Sequence, residues 1–392
     1  MPTRGSRHTA VTLVTLAAFT DILAYSIAVP VLPDLSRRLG ASPTTIGFLF
    51  AAFGISLLVV SIPAGTMSDR IGRRAPLAGG AVAIAVSTVL FAFATSLPWL
   101  FVARLVQGAA DAVTWVVGFA LIADLYDADE RGRVMGLVMS ATTAGFMVGP
   151  TLGGWLYELG GPAVPYLAVA ALAAVSAVGF AWMATPPSAA IGVGVPLRRL
   201  LRVPAVAVCA AAVVLGSATL AMLEPTFALF LSDRLALLPS RIGLVFGVGA
   251  IVGALLHPVF GRVADRTGGR RLMLAGLVCM GAMLPLLALS SSFRLALGLE
   301  ALFAVGVAMM ATPSLAFMGE ATTSAGVGSF GVAYGLYNVC WAIGLLVGPA
   351  VGGAMYERVG FAALAQAWAV AAVGLTLLIA RAPVGSAPRG GV

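Results

Sequence analysis

Charged residues, and the residues that build metal and nucleophilic sites, are scarce in this chain of 392 residues. Only 10% of the residues are charged, against about 25% in soluble domains, and lysine is absent. There are two histidines, and the three cysteines stand in separate apolar runs without metal-ligand spacing. The sequence also lacks a Ser-His-Asp set and a nucleotide-binding loop. These absences argue against an enzyme, a metal site and a bound cofactor.

Long apolar runs dominate what is present. Hydrophobic residues make up 60% of the chain, more than soluble domains contain. A helix that crosses a bilayer needs roughly 20 apolar residues. Twelve runs approach or exceed that length, near residues 9–33, 44–67, 75–96, 98–124, 133–157, 163–184, 203–231, 240–262, 272–290, 293–318, 328–356 and 361–380. The sequence therefore predicts an all-α integral membrane protein with twelve spans.

The arginines predict how this protein lies in the membrane. With twelve spans, sixteen arginines fall in the tails and the even-numbered connections, and six fall on the other side. Because basic residues concentrate in cytoplasmic loops, both termini are expected in the cytoplasm, in a multi-pass protein of the cell inner membrane. The net charge of +8 comes in short clusters between spans, which does not indicate nucleic-acid binding.

The two halves of the chain repeat each other. The stretch Gly65–Arg74, with an Asp-Arg pair and glycines, recurs as Gly261–Arg271 at an offset of 196 residues. A Val-Gly-Pro-x-x-Gly-Gly element at Val148–Gly154 recurs at Val347–Gly353, 199 residues later. We predict two six-helix bundles over 1–185 and 203–392, joined by a cytoplasmic linker over 186–202. A duplicated bundle places its substrate site between the halves, at mid-membrane.

These motifs carry a family resemblance. The GxxxDRxGRR stretch, the Arg104-x-x-Gln107-Gly element of span four and the span-five GPxxGG element resemble the major facilitator superfamily and its proton antiporters. Asp21, the Val29–Pro33 segment and Leu223-Glu224-Pro225 resemble the vesicular monoamine transporters and their bacterial relatives. The resemblance implies an alternating-access antiporter that uses the proton gradient and exports small organic cations or amphipathic drugs. We expect it to work as a monomer.

Buried charges single out the candidate site. A carboxylate within a span costs several kcal/mol, so Glu224 beside the helix-bending Pro225 predicts a polar cavity. Asp21 lies in span one, and Arg104, Gln107 and Asp111 share one face of span four. Arg104 is expected to pair with Glu300 or Asp111, because a buried charge needs a partner. The predicted substrate- and proton-binding residues are Asp21, Glu224, Arg104, Asp111, Glu300, Asn338 and Tyr334.

Two gates are predicted from the repeated motifs. The Asp-Arg stretches, whose arginines can pair with acids across the bundle, are expected to form a cytoplasmic latch. The glycines and prolines of the GPxxGG elements allow close helix packing and bending, which would seal one side of the pathway. The predicted gating residues are Asp69, Arg70, Arg73, Asp265, Arg266, Gly149, Pro150, Gly348 and Pro349.

Alternatives remain open at this point. The monoamine carriers have a lysine in span two and an aspartate in span eleven, where this chain has an uncharged segment and Asn338. They also have an aspartate in span ten that is missing here. An exporter or facilitator of a neutral or acidic metabolite, anchored by Arg104 and with weak or no proton coupling, is therefore the second hypothesis. A membrane-embedded enzyme or sensor is the third.

Overall fold

The computed structural model describes residues 4–183, 202–324 and 330–382, and the regular structure of these residues is helical. Most of the predicted linker, 186–202, lies outside the described residues. The helices are α1 (Arg4–Ser26), α2 (Ala28–Leu39), α3 (Pro43–Ile71), α4 (Arg74–Ala92), α5 (Leu97–Leu125), α6 (Ala128–Gly160), α7 (Ala163–Trp182), α8 (Pro204–Leu235), α9 (Pro239–Thr267), α10 (Gly269–Leu287), α11 (Phe293–Ser324) and α12 (Phe330–Arg381).

The predicted spans overlap these helices, although not one to one, since span one (9–33) contains most of α1 and the beginning of α2. In the described part of the chain, eleven helical stretches are long and apolar enough to cross a membrane. The longest, Gly335–Arg381, contains Gly360 with a φ of 75°, where a side chain would be strained. The helix breaks there into two segments that are each long enough for a crossing, which accounts for spans eleven and twelve. The prediction of an all-α membrane protein with twelve crossings is confirmed.

Turns at glycine end the helices that carry the repeated Asp-Arg motifs. α3 ends at Gly72 (φ 87°) and α9 ends at Gly268 (φ 90°). We call the side of the molecule where these two turns lie the basic face, because the clusters Arg70–Arg74 and Arg262–Arg271 lie there. The side where α3 and α9 begin is the opposite face.

The halves meet along two pairs of helices that the repeat relates. α12 packs against α3, and α9 packs against α6. α8 is the most buried of the apolar spans, since 72% of its most apolar 18 residues are buried. It packs against α12 and α2. α8 is therefore the helix best placed to bring a buried side chain to the boundary between the halves.

Two repeat-related arginines stabilise the basic face. Arg74 donates a hydrogen bond to the carbonyl of Ala181 at the end of α7. Arg270, 196 residues later, donates to the carbonyls of Ala380 and Ala382 at the end of α12, at 3.0 and 2.9 Å. The last carbonyls of a helix have no partner within the helix, so an arginine there satisfies them and suits the negative end of the helix dipole.

Candidate functional site

Glu224 lies at the boundary between the halves, as predicted. It is 7% exposed, and the hydroxyl of Tyr25 on α1 donates a hydrogen bond of 2.6 Å to its Oε2 atom. Tyr25 and Glu224 are 199 residues apart, the offset at which the GPxxGG element repeats, so they lie at corresponding places in the first helix of each half. The ring of Tyr25 packs against Phe50, Phe53 and Phe146. This cross-half bond is charge-assisted and lies where water is scarce, which makes it strong.

Arg104 is held by aromatic rings and by no carboxylate. Its guanidinium carbon lies 4.4 Å from the ring centroid of Phe50 and 5.0 Å from that of Phe91. Its Nη1 donates to Gln107 Oε1 at 2.9 Å, whereas its Nε and Nη2 atoms are buried without an acceptor. The predicted ion pair with Asp111 or Glu300 is absent from the ion pairs of the described residues. That prediction is wrong because Arg104 points into a cage of rings, where cation–π contacts replace a salt bridge.

The two acids of the first half form a pair. Asp21 and Asp111 are 1% and 4% exposed, and their carboxyl groups face each other at hydrogen-bonding range. Trp115 Nε1 donates to Asp111 Oδ1 at 3.0 Å. Neither oxygen of Asp21 has a donor partner among the described residues. The sequence placed both acids at membrane depth but did not predict that they would meet.

Glu300 lies near Glu224 in the second half. It is 5% exposed, interacts electrostatically with Glu224, and lies against Gly249 of α9. A Cβ atom at Gly249 would lie 3.1 Å from Glu300 Oε1, so the glycine leaves room for the carboxylate. Asn338 of α12 is half-buried, and the side chain of Tyr334 lies outside the described residues. The structure therefore brings Glu224, Glu300 and Arg104 into one electrostatic neighbourhood. Asp21 and Asp111 form a pair beside it, and Tyr25 interacts with both Glu224 and Asp111.

The GPxxGG elements lie between helices, with no space for side chains. A Cβ atom at Gly149 would overlap Ser26 of α1, and one at Gly348 would overlap the carbonyl of Ala218 on α8. The carbonyls of Pro150 and Pro349 in turn lie against Gly243 and Gly47, each in the other half. The close approach expected of these motifs is therefore present, near the opposite face.

A family model matches this chain twice. The model of the Major Facilitator Superfamily covers residues 14–224 and again residues 208–390, as expected for a duplicated bundle. The chain belongs to the Major Facilitator Superfamily. Its membership and its transporter relatives establish a multi-pass membrane transporter, as predicted, and not an enzyme.

Curated relatives of this superfamily transporter include carriers of amines and of acetylcholine. The human chromaffin granule amine transporter is 29% identical over 321 residues, which are 81% of this chain and 61% of that protein. The Drosophila melanogaster vesicular acetylcholine transporter is 27% identical over an alignment of 397 positions, which covers 92% of this chain and 69% of that protein. The human synaptic vesicular amine transporter is 28% identical over 334 residues, 84% and 65%. This chain thus spans between 61% and 69% of the length of these relatives.

Solved structures show the same fold. A bacterial homologue of the human lysosomal transporter Spinster, in an inward-facing and occupied conformation, matches with a TM-score of 0.83 at 16% identity, covering 98% of each chain. The human organic anion transporter MFSD10 matches with a TM-score of 0.69 at 20% identity, covering 97% of this chain and 100% of that chain. At these identities the likeness shows the fold of this superfamily transporter alone.

The first Asp-Arg stretch of the transporter forms an ion-pair network, and the two copies differ. Arg73 is 1% exposed and bonds Asp69 at 2.6 Å, Asp124 at 2.8 Å and Ser68 at 2.6 Å. The matching position in the second half is Gly269, which packs against α11 near Pro313. The other predicted latch residues are exposed, namely Arg70, Asp265 and Arg266.

Three residues of this transporter were missed or undervalued by sequence reasoning. Nothing in the sequence distinguishes Tyr25 from the other aromatic residues of the spans, whereas in the structure its hydroxyl donates to Glu224. Glu158 Oε1 accepts from the backbone N–H of Ser240, and Glu357 Oε2 accepts from that of Thr44, both at 2.9 Å and both between the halves. The repeat contained the signal, because Glu158 and Glu357 are also 199 residues apart.

Proposed function

We propose that this transporter exchanges protons for small organic cations, amines or amphipathic drugs by alternating access, and that it exports them. The hydrogen bond between Tyr25 and Glu224 carries the proposal, since it joins the two halves through a buried carboxylate. The resemblance to vesicular amine and acetylcholine transporters supports the class of substrate. A rocking movement of the halves changes the environment of this contact, as transport by two bundles requires.

The chemistry is a competition for one carboxylate. An ionised Glu224 can hold a protonated amine by a charge-assisted hydrogen bond, with the nearby rings contributing cation–π contacts. A proton from the acidic side that forms an O–H bond on Glu224 removes the negative charge and releases the amine. With neither ligand bound, Tyr25 donates to the carboxylate and keeps it satisfied. Proton and cation thus exclude each other, and exchange follows.

The proposal also includes the oligomeric state, the membrane, the orientation and the gates of the transporter. The transporter works as a monomer in the cell inner membrane, with both termini in the cytoplasm, and takes its energy from the proton gradient without a cofactor. Its bundles are residues 1–185 and 203–392. Asp69, Arg73 and the GPxxGG glycines act as gates at the basic and opposite faces respectively.

Arg104 supports a second candidate function, transport of an acidic or neutral metabolite. Its Nε and Nη2 atoms, which have no acceptor among the described residues, favour an anion. The pocket beside Arg104 is, however, lined by Ala24, Ala28, Ser87, Thr88, Phe91, Gln107 and Tyr166, all in the first half. A substrate bound there would lie away from the boundary between the halves, so the cation hypothesis is preferred.

Glu224→Gln is expected to abolish uptake driven by a pH gradient. The experiment uses proteoliposomes with an acidic interior and follows labelled monoamines, a lipophilic cation and a panel of organic acids. The amide keeps the shape and can accept from Tyr25, but it can neither ionise nor bind a proton, so gradient-driven uptake of cations should fall to background. Glu130→Gln, an exposed glutamate on α6, is the matched control and should transport normally.

Two other results of this experiment would contradict the proposal. Cation uptake by the wild type that ignores the gradient would mean a facilitator without proton coupling. Uptake of acids and not of cations would favour the function anchored on Arg104.

A further inference from the structure

We propose that Asp21 and Asp111 together form a proton site of their own, separate from the site at Glu224 and never occupied by the transported cation. This inference rests on the proposed function and states which carboxyl groups bind the protons that are exchanged. The supporting geometry is the facing of two buried carboxyl groups, with both oxygens of Asp21 lacking any donor among the described residues.

The surroundings of the pair leave a proton as its natural ligand. α1, which carries Asp21, packs against α5, α6 and α7. The interactions of Asp111 are with Asp21, Trp115 and the hydroxyl-bearing Tyr25, and those of Asp21 are with Asp111. No arginine pairs with either acid in the described part of the chain. Two adjacent carboxylates without a cation repel each other in a medium of low polarity, and a shared proton turns that repulsion into a hydrogen bond.

The pair is also too enclosed for an organic cation. Asp21 is 1% exposed, and the first-half helices surround it. Glu224, by contrast, reaches across the boundary to Tyr25. A proton can reach Asp21 through a small movement of α1, forming an O–H bond on one carboxylate and leaving to water on the other side of the membrane. The pair therefore adds one proton to each transport cycle, beyond the proton that competes with substrate at Glu224.

Asp111→Asn is expected to lower the proton count by one. Proteoliposomes are clamped at zero potential with potassium and valinomycin, and steady-state accumulation of a labelled amine is measured at increasing pH gradients. The logarithm of accumulation should rise with a slope of about two in the wild type and about one in Asp111→Asn, a loss of about tenfold in accumulation per pH unit. Asp111→Glu should restore the steeper slope, since it returns a carboxylate to the pair.

The outcomes separate this inference from the proposed function. A wild-type slope of zero overturns proton coupling as a whole. Equal, nonzero slopes in the wild type and Asp111→Asn overturn only the role of the pair.

Infrared spectroscopy of the purified protein tests the pair without a transport measurement. Because the buried carboxyl groups of Glu224 and Glu300 remain, the carbonyl stretch of protonated carboxylic acid should be weaker in the Asp21→Asn, Asp111→Asn double variant than in the wild type. Equal intensity in the two proteins would also overturn the inference.

A second, independent observation concerns the opposite face. Glu158, at the end of α6, accepts from the N–H of Ser240 in the first turn of α9, and Glu357 on α12 accepts from the N–H of Thr44 in the first turn of α3. Each carboxylate belongs to one half and each helix start to the other. We infer that these two contacts form a clasp that holds the opposite face closed.

Helix physics explains why the clasp is favourable. The first amides of a helix have no partner within it, and a negative charge there suits the helix dipole. α9 begins after Leu238, whose side chain cannot cap the helix, so Glu158 of the other half takes that role. Both contacts lie at the protein surface and join one half to the other, so they are lost together when this face opens.

Glu158→Gln and Glu357→Gln are expected to favour opening at this face. Spin labels at the exposed Leu159 and Val359 report the distance between the end of α6 and the break of α12 at Gly360. Each substitution should raise the ratio of open to closed molecules by roughly fivefold, and the double variant by about 25-fold if the contacts are independent. Glu130→Gln, on the same helix but at the basic face, should leave the distribution unchanged. An unaltered distribution in the double variant would overturn the clasp, whatever the transporter carries.

Discussion

Replacing Arg73 with alanine should destabilise the transporter by about 3–5 kcal/mol. Arg73 is fully enclosed and satisfies Asp124, whose side chain is only 9% exposed, together with Asp69 and Ser68. Its removal leaves a largely buried carboxylate without a cation, and the cost of that uncompensated charge exceeds the cost of the lost contacts themselves. The unfolding midpoint in detergent, followed by heat or by denaturant, measures this effect.

Matched variants locate the cause of that instability. Arg133→Ala removes an exposed arginine on α6 and should change stability by no more than about 0.5 kcal/mol. Adding Asp124→Asn to the Arg73→Ala variant should recover much of the lost stability, because the stranded charge is then gone. If Arg73→Ala melts like the wild type, the buried ion-pair network does not exist in the folded protein.

Gly154→Leu and Gly353→Leu should each prevent closure of the opposite face. A Cβ atom at Gly154 would overlap the carbonyl of Pro239, and one at Gly353 would lie against the carbonyl of Pro43, both in the other half. A leucine therefore forces two helix backbones apart at their closest approach. Overpacking of this kind costs about 1–3 kcal/mol, which corresponds to a ratio of closed to open molecules lowered by roughly 5- to 150-fold.

The distance between spin labels at Leu159 and Val359 tests this prediction directly. Gly136→Leu is the control, since it lies on the same helix as Gly154 and has open space around it. The control should keep the wild-type distribution. The unfolding midpoint of Gly154→Leu should stay near that of the wild type, because the halves can relieve the clash by separating. A wild-type distance distribution in Gly154→Leu would show that the glycines are not needed for closure.

The two copies of the Asp-Arg motif illustrate where sequence reasoning reaches its limit. The repeat favoured equivalent latches in both halves. The first copy binds Asp124 through Arg73, whereas the second has Gly269 at the matching position and packs it against α11. Insertion of a second glycine beside Gly268 moves the arginines along by one residue. The two motifs match in sequence, but the match does not show that a different residue points inward in each copy.

The charged residues at membrane depth also show what the sequence predicts and what it does not. Composition and span length were enough to identify Asp21, Asp111, Glu224, Glu300 and Arg104 as buried and significant, because charge within a span is costly wherever its partner lies. Their partners were not predictable. Helical periodicity determines which face of a helix a residue occupies, but the rotation of one helix against another decides which residues meet.

The sequence by itself determined that this protein crosses a membrane, approximately where each span lies, and that the chain consists of two related halves. Those properties follow from local hydrophobicity, from glycine and proline, and from repetition, each of which is visible along a single stretch of chain. Only the tertiary structure decided that Tyr25 holds Glu224, that Arg104 lies among rings, that Asp21 faces Asp111, and that Glu158 and Glu357 cap helices of the other half. Hydrogen bonds and charge pairs act only over a few ångströms. This fold brings residues within that distance although they lie up to 313 positions apart in the chain, so their contacts cannot be seen along any one stretch of sequence.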